Sequence, residues 1–147
     1  MQINDIMTAD PACCRSETPL HEVAKLMLER DCGALPVVAG DEQLRTVIGV
    51  ITDRDIATRH VAARRDPDQA KACDAMTHPA AVVSQFSSIE EGLRLMTFNQ
   101  VRRLPVVDHA GVLVGMISQA DIARHIPAPE VGALVSEVSK GFDQGHG

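Results

Sequence analysis

The chain says nearly the same thing twice. Asp5-Ile6-Met7-Thr8 returns as Asp74-Ala75-Met76-Thr77, and Leu35-Pro36-Val37-Val38 returns as Leu104-Pro105-Val106-Val107, each 69 residues later. The third block, Gly49-Val50-Ile51-Thr52-Asp53-Arg54-Asp55-Ile56, returns 66 residues later as Gly115-Met116-Ile117-Ser118-Gln119-Ala120-Asp121-Ile122. The second copy has therefore lost three residues between its strands, a loss that belongs in a loop. A tandem repeat of this length implies units that each leave an apolar face open and close it against a neighbour. Function is then expected between the copies.

Composition narrows the partners. With 147 residues, 45% hydrophobic and 23% charged, the chain is one ordinary globular domain or two small interlocked ones. A formal net charge of −6 repels phosphate backbones, and three Phe with no Tyr or Trp leave few stacking platforms, so nucleic acid is excluded as a partner. No leader pattern and no apolar run of about 18 residues is present, which predicts a soluble cytoplasmic protein without a membrane partner. In that compartment Cys13, Cys14, Cys32 and Cys73 are expected as reduced thiols, and their spacing fits no paired zinc pattern. Small buried side chains and a redox or metal role for Cys13, Cys14 and Cys32 both remain open.

Periodicity places the elements. Leu20, Val23, Ala24, Met27 and Leu28 recur at helical spacing behind Thr18 as N-cap and Pro19 as first-turn residue. The matching helix starts at Ser87 or Ser88 and runs through Ile89, Leu93 and Met96, with Glu90 or Glu91 placed to complete a capping box. Met27 and Met96 are read as core filling. Apolar runs at 35–38 and 47–51, and at 104–107 and 112–117, form hairpins around Gly40-Asp41-Glu42-Gln43 and Asp108-His109-Ala110-Gly111. Pro36 and Pro105 should sit at strand starts or edges, and the continuous apolar character implies strands covered on both faces. Second helices begin near Asp53 and Gln119.

Each copy thus reads strand, helix, strand, strand, helix, a mixed α/β (α+β) fold of two related repeats forming one module. The expected divisions are repeat 1 at 1–62, a linker at 63–72, repeat 2 at 73–127, and a C-terminal helix with a frayed tail at 128–147. In that last segment Val131, Leu134, Val135 and Val138 make an apolar stripe that needs a cover.

The chemistry-bearing pair is Thr52-x-x-Asp55 and Ser118-x-x-Asp121, each where a glycine-containing strand hands over to a helix. One reading is structural: a hydroxyl three residues before an acid caps orphan backbone N–H groups. The other is ligand binding, with the helix start facing phosphate, the carboxylate accepting both hydroxyls of a ribose, and Gly49 or Gly115 letting a ligand approach the backbone. No nucleophile, base and oxyanion donors converge, so no catalytic residue is assigned and a non-enzymatic protein is expected.

At these residues the chain resembles a tandem pair of CBS domains, the cystathionine-beta-synthase-type regulatory repeat, over residues 1 to about 126. The Asp-Ile-Met-Thr opening and the Thr-Asp-Arg-Asp-Ile block are also similar to small stand-alone bacterial CBS-pair proteins. The resemblance implies clefts that bind adenosine-containing ligands such as AMP, ADP, ATP, NAD or S-adenosylmethionine as regulatory ligands, with no cofactor or metal required. Carried over by position, it makes Asp55 and Asp121 the ribose acceptors, with Thr52 and Ser118 beside them for ribose or phosphate. Adenine is then expected against Cys14-Arg15-Ser16 and Val83-Ser84-Gln85, held largely by backbone groups. A homodimer and a separate effector protein are the implied partners.

The copies differ in charge. Arg102 and Arg103 precede the second Leu-Pro-Val-Val where the first copy has Gly33 and Ala34, and Arg54 stands where the second copy has Ala120. Arg54, Arg102 and Arg103 are the phosphate candidates, because guanidinium forks suit phosphate, although solvated arginines would look the same. His60 and His125 follow the second helices and could reach phosphate or metal, but surface His near a helix end needs no ligand to explain it. The competing class is a ligand-independent, dimeric interaction or stress protein using thiol or zinc chemistry.

Overall fold

The structure, a computed structural model, describes residues 1–126. The helix expected over 130–140 lies outside the described residues. In chain order the elements are a 3-10 turn (Ile3–Asp5), β1 (Thr8–Ala9), β2 (Cys14–Arg15), α1 (Leu20–Arg30), β3 (Ala34–Ala39), β4 (Thr46–Thr52), α2 (Asp53–Ile56) and a π-helical turn (Ala57–Val61). There follow α3 (Ala72–Ala75), β5 (Val83–Ser84), α4 (Ile89–Asn99), β6 (Arg103–Val107), β7 (Leu113–Ser118) and α5 (Gln119–Ala123). Both copies keep the strand, helix, strand, strand, helix order.

Packing divides the chain differently from the repeat. One compact unit comprises Met1–Pro11, Ala81–Ala110 and the described residues from Val114, and the other comprises Ala12–Ala80 with Gly111–Leu113. The boundaries at 1–62 and 73–127 therefore mark sequence copies, while the opening block of each copy folds with the body of the other. In the first unit the sheet order is β1-β7-β6-β5, with Thr8 opposite Met116 and Ala9 opposite Gly115. In the second unit it is β2-β3-β4, and Thr77 lines the free edge of β4 by exchanging hydrogen bonds with Val50 at 2.8 and 3.0 Å.

The exchange explains the repeated Asp-x-Met-Thr. Asp5 Oδ2 accepts the Gln2 N–H at 2.8 Å, and Asp74 Oδ2 accepts the Lys71 N–H at 2.9 Å, so each acid closes a tight turn. The residues just ahead satisfy a helix start in the same unit: Leu20 N–H donates to Ala70 O at 2.9 Å, and Ile89 N–H to Met1 O at 3.4 Å. This corrects the capping read from sequence. Pro19, not Thr18, precedes α1, and Thr18 Oγ1 instead accepts the Arg15 N–H. Ser88 does cap α4 through Glu91 N–H, but Glu91 does not return the bond and its carboxylate holds Arg94 at 2.8 Å.

Each unit has its own core. Ile3, Val83, Ile89, Leu93, Met96, Leu104, Val106, Ile117 and Ile122 are buried together in the first, and Leu20, Val23, Met27, Leu35, Val37, Ile51, Ala72 and Ala75 in the second. Met27 and Met96 fill these cores as the helical phase requires. Strand β3 is covered over its four central residues, whereas β7 alternates, with Leu113, Gly115 and Ile117 buried and Val114 and Met116 only half-buried. Continuous apolar character was a poor guide there because the long apolar side chains on the second face are only partly shielded.

Pro36 sits inside β3 rather than at its start, opposite Val50. Val50 directs its N–H and C=O away from β3 to Thr77, so the Pro36–Val50 pair is a non-hydrogen-bonded one and the missing N–H faces the side where β2 has not begun. Pro105 likewise precedes the two residues of β6 that pair with β5.

His60 is not a surface residue. On the π-helical turn it is 1% exposed, and neither ring nitrogen has a hydrogen-bond partner among the described residues. The position 66 residues later is Ile126, a core residue of the other unit. His60→Ile is expected to raise stability by about 1–3 kcal/mol, the usual penalty of an unsatisfied buried polar group, measured by urea unfolding. An unchanged or lowered midpoint would show that the imidazole has a structural role.

Candidate functional site

The two Thr/Ser-x-x-Asp turns form the same device. Thr52 and Ser118 are extended, with φ −117° and ψ 162°, and φ −115° and ψ 158°. Thr52 Oγ1 accepts the Asp55 N–H and Asp55 Oδ2 accepts the Thr52 N–H, both at 3.0 Å. Ser118 and Asp121 repeat both bonds at 3.0 Å. Each reciprocal pair consumes one carboxylate oxygen and leaves the hydroxyl proton and the other oxygen, Oδ1, for further bonding. The capping reading is therefore correct, and it holds the acid in one fixed orientation.

The surroundings of the two Oδ1 atoms differ. Asp121 Oδ1 already accepts Arg124 Nη2 at 2.7 Å, while Asp55 Oδ1 lies 3.9 Å from Arg59 Nε, beyond hydrogen-bonding distance. Neither arginine was singled out from sequence, although the i+3 and i+4 spacing from each acid was legible. The Asp55 side chain is 15% exposed and that of Asp121 is 23% exposed, so both are partly shielded from water.

The arginine candidates fall out unevenly. Gln119 N–H donates to Arg102 O at 2.8 Å, which places the exposed Arg102 and Arg103 beside the start of α5. The corresponding bond in the other unit, Asp53 N–H to Gly33 O at 2.9 Å, puts the Asp53 carboxylate there instead, with Oδ2 only 3.0 Å from where a Cβ on Gly33 would lie. Arg54 is exposed on α2, and its backbone N–H donates to Asp53 Oδ1 at 2.8 Å. The α5 start thus has two arginines beside it, whereas the α2 start carries Asp53 as well as Arg54.

The segments expected to meet adenine include β2 and β5, with Ser16 just beyond β2. Cys14 and Val83 pack into the cores at 5% and 2% exposure, so any contact from them must come from the backbone. The Arg15 guanidinium donates to Gly40 O, Ser16 O accepts the Cys73 N–H at 3.0 Å, and Ser84 Oγ accepts the Phe86 N–H at 3.2 Å. None of these side chains reaches Thr52 or Ser118 by a hydrogen bond, and β2 is separated from β4 by β3.

The glycines serve the chain itself. A Cβ on Gly49 would stand 2.8 Å from Met76 Sδ and 3.0 Å from Thr77 O, and one on Gly115 would collide with Met7 Sδ and stand 2.9 Å from Thr8 O. The expectation that they admit a ligand is corrected: they admit the Met-Thr segment from the other copy's opening block.

The four thiols differ in their surroundings. Burial pushes the Cys14 thiol up to about 12, with Cys13 beside it adding to the shift, so Cys14 is inert near neutral pH. Cys13 Sγ accepts Arg45 Nη1 at 3.4 Å, Cys32 is half-buried, and Cys73 is exposed. Among the described residues no three His, Cys, Asp or Glu side chains are grouped to hold a metal, and no helix is long and apolar enough to cross a membrane.

A family model, CBS domain, matches residues 3–61 and 72–128. The chain belongs to the CBS domain family. It is 38% identical over 134 residues to hypoxic response protein 1 of Mycobacterium tuberculosis, covering 91% of both chains. The crystal structure of hypoxic response protein I with two coordinated zinc ions superposes with a TM-score of 0.76 at 39% identity, over 86% of this chain and all of that one. The CBS-pair protein CBSX2 of Arabidopsis thaliana, solved in complex with AMP, gives a TM-score of 0.70 at 26% identity over 84% of this chain and 93% of that one. The CBS pair of MJ0100, in complex with 5-methylthioadenosine and S-adenosyl-L-methionine, gives 0.73 at 25% identity over 84% and 98%.

Proposed function

We propose that this CBS pair is a non-enzymatic regulatory module that binds an adenosine-containing ligand and signals through a change of conformation or assembly. The observation that carries it is the fixed, partly shielded carboxylate at each Thr/Ser-x-x-Asp turn, whose second oxygen is outside the cap and is 3.9 Å from Arg59 at Asp55 but shared with Arg124 at Asp121. The AMP and S-adenosyl complexes of CBSX2 and MJ0100 support the ligand class. Asp55 and Asp121 are the ribose acceptors, Thr52 and Ser118 their neighbours, and the backbones of 14–16 and 83–84 the adenine contacts. The arginines at the α5 start make the Asp121 turn the better one for a phosphorylated ligand such as AMP, ADP, ATP or NAD, and the Asp53–Asp55 turn the better one for an uncharged or cationic adenosyl ligand such as S-adenosylmethionine. Self-association as a homodimer and a separate effector protein complete the reading.

A thermal-shift screen of ligand-stripped protein against AMP, ADP, ATP, NAD, S-adenosylmethionine and zinc tests this. A ligand at about 100 times its dissociation constant should stabilise by about 2.7 kcal/mol. Asp55→Ala and Asp121→Ala should each remove binding at one turn, and unchanged affinity in both would sink the ribose assignment. Loss of a cap also costs about 1 kcal/mol, so ligand-free melting is measured beside it. The zinc-bound relative gives the rival, a thiol or zinc interaction protein, its one supporting observation; a response to zinc alone would favour it.

A further inference from the structure

We infer that Arg59 is a positioning residue that couples the Asp55 carboxylate to the Ala75–Met76 stretch, so that what happens at Asp55 is felt in that segment. Arg59 stands on the π-helical turn, a distortion frequent at functional positions. Its Nη1 donates to both Ala75 O and Met76 O at 3.0 Å, closing off carbonyls at the end of α3. Its Nε faces Asp55 Oδ1 at 3.9 Å. One guanidinium thus spans the candidate ribose acceptor and the segment that lines β4.

That segment is also anchored by the buried Ala72 and Ala75 and by the Met76 N–H, which donates to Ala72 O at 2.9 Å, so Arg59 adds to an existing hold at its C-terminal end. Thr77 exchanges two hydrogen bonds with Val50, and Met76 lies over Gly49. Val50 and Gly49 in turn run directly into Thr52, so the acid, the arginine and the segment form a closed circuit within one unit. Asp55 is anchored through Oδ2 to Thr52, leaving Oδ1 as the atom that either a ribose hydroxyl or the guanidinium can engage. A hydroxyl donating to Oδ1 competes for the charge that orients Arg59, and the orientation of Arg59 sets its grip on the two carbonyls.

The other unit lacks the circuit. The position 66 residues after Arg59 is His125, Arg124 is committed to Asp121 at 2.7 Å, and among the described residues neither donates to Ile6 O or Met7 O, the counterparts of Ala75 O and Met76 O. Coupling is therefore assigned to the Asp55 turn alone. Its ligand-linked half rests on the proposed adenosyl binding; the coupling itself does not.

The test is amide hydrogen exchange on the full chain, reading the Val50 and Thr77 N–H groups in a double-mutant cycle without ligand. Asp55→Asn keeps an acceptor for Thr52 and removes the charge, and Arg59→Gln removes the guanidinium. Asp55→Asn should speed exchange at both amides about two- to fivefold in the native background, the range of a partly exposed ion pair, and hardly at all beside Arg59→Gln. Equal effects in both backgrounds would overturn the coupling. Should Arg59→Gln fold poorly, Arg59→Met, which keeps an unbranched stem and removes the charge, is read the same way. AMP is then added: exchange at Thr77 should respond in the native protein and not in Arg59→Gln that still binds AMP, and the same response in both overturns the relay. No AMP binding alongside an intact cycle would sink the ribose reading and leave the coupling standing.

Discussion

Ile3→Ala is expected to lower stability by about 2–5 kcal/mol, a core-sized loss from a residue three positions from the start of the sequence. Ile3 is 0% exposed and belongs to the core of α4, β6 and α5, and its Cδ1 lies 2.8 Å from where a Cβ on Gly92 would be. The equivalent pair in the other unit is Ala72 and Val23, both fully buried in one cluster. The small and large partners have changed sides: Ile with Gly in one unit, Ala with Val in the other. Gly92→Val alone should therefore be destabilising, because Ile3 occupies its space. Combined with Ile3→Ala it should restore a large part of the loss, since the double variant reproduces the packing of the other unit. Urea unfolding of the four proteins reads this as a strong non-additivity. A double variant no more stable than Ile3→Ala would show that the two units do not share a packing solution.

Gly115→Ala should cost about 1–3 kcal/mol through overpacking alone, and Gly49→Ala somewhat less. Met7 Sδ is the end of a flexible side chain and can move aside. Thr8 O cannot, because Thr8 is paired with Met116 in the sheet and sits 2.9 Å from the added methyl. At Gly49 the matching oxygen, Thr77 O, is slightly farther at 3.0 Å. Each glycine lies three residues before the hydroxyl of its Thr/Ser-x-x-Asp turn, so a strand that shifts to relieve the clash carries the turn with it. On the proposed adenosyl binding, a fall in affinity for AMP is expected to accompany the fall in midpoint, measured by thermal shift with and without AMP. Midpoints unchanged by either substitution would mean that the opening blocks do not pack where the structure puts them.

These two results bear on the same arrangement. From sequence, residues 1–9 open repeat 1, while 70–77 straddle the linker at 63–72 and the opening of repeat 2, yet Ile3, Ala70, Ala72 and Ala75 are core residues. Nothing local distinguishes them: single apolar residues between polar ones have neither a 2.0 nor a 3.6 period long enough to register. The Thr/Ser-x-x-Asp turns were legible because hydroxyl, spacing and acid are all local, and a cap closes within three residues. Arg59 was not, since its partners on α3 are 16 and 17 residues away and only the fold brings them near.

The duplication, the order of elements in each copy, the buried phase of α1 and α4, and the capping role of Asp55 and Asp121 were legible in the sequence, because each depends on neighbours within a few residues or on comparing one copy with the other. Tertiary structure alone decided which body each opening block joins, why Gly49 and Gly115 must be glycine, why a histidine at position 60 is buried, and which Asp faces a bridging arginine. Those outcomes depend on contacts between residues far apart in the chain, and the strength of such a contact is set by shape and distance that no local pattern encodes.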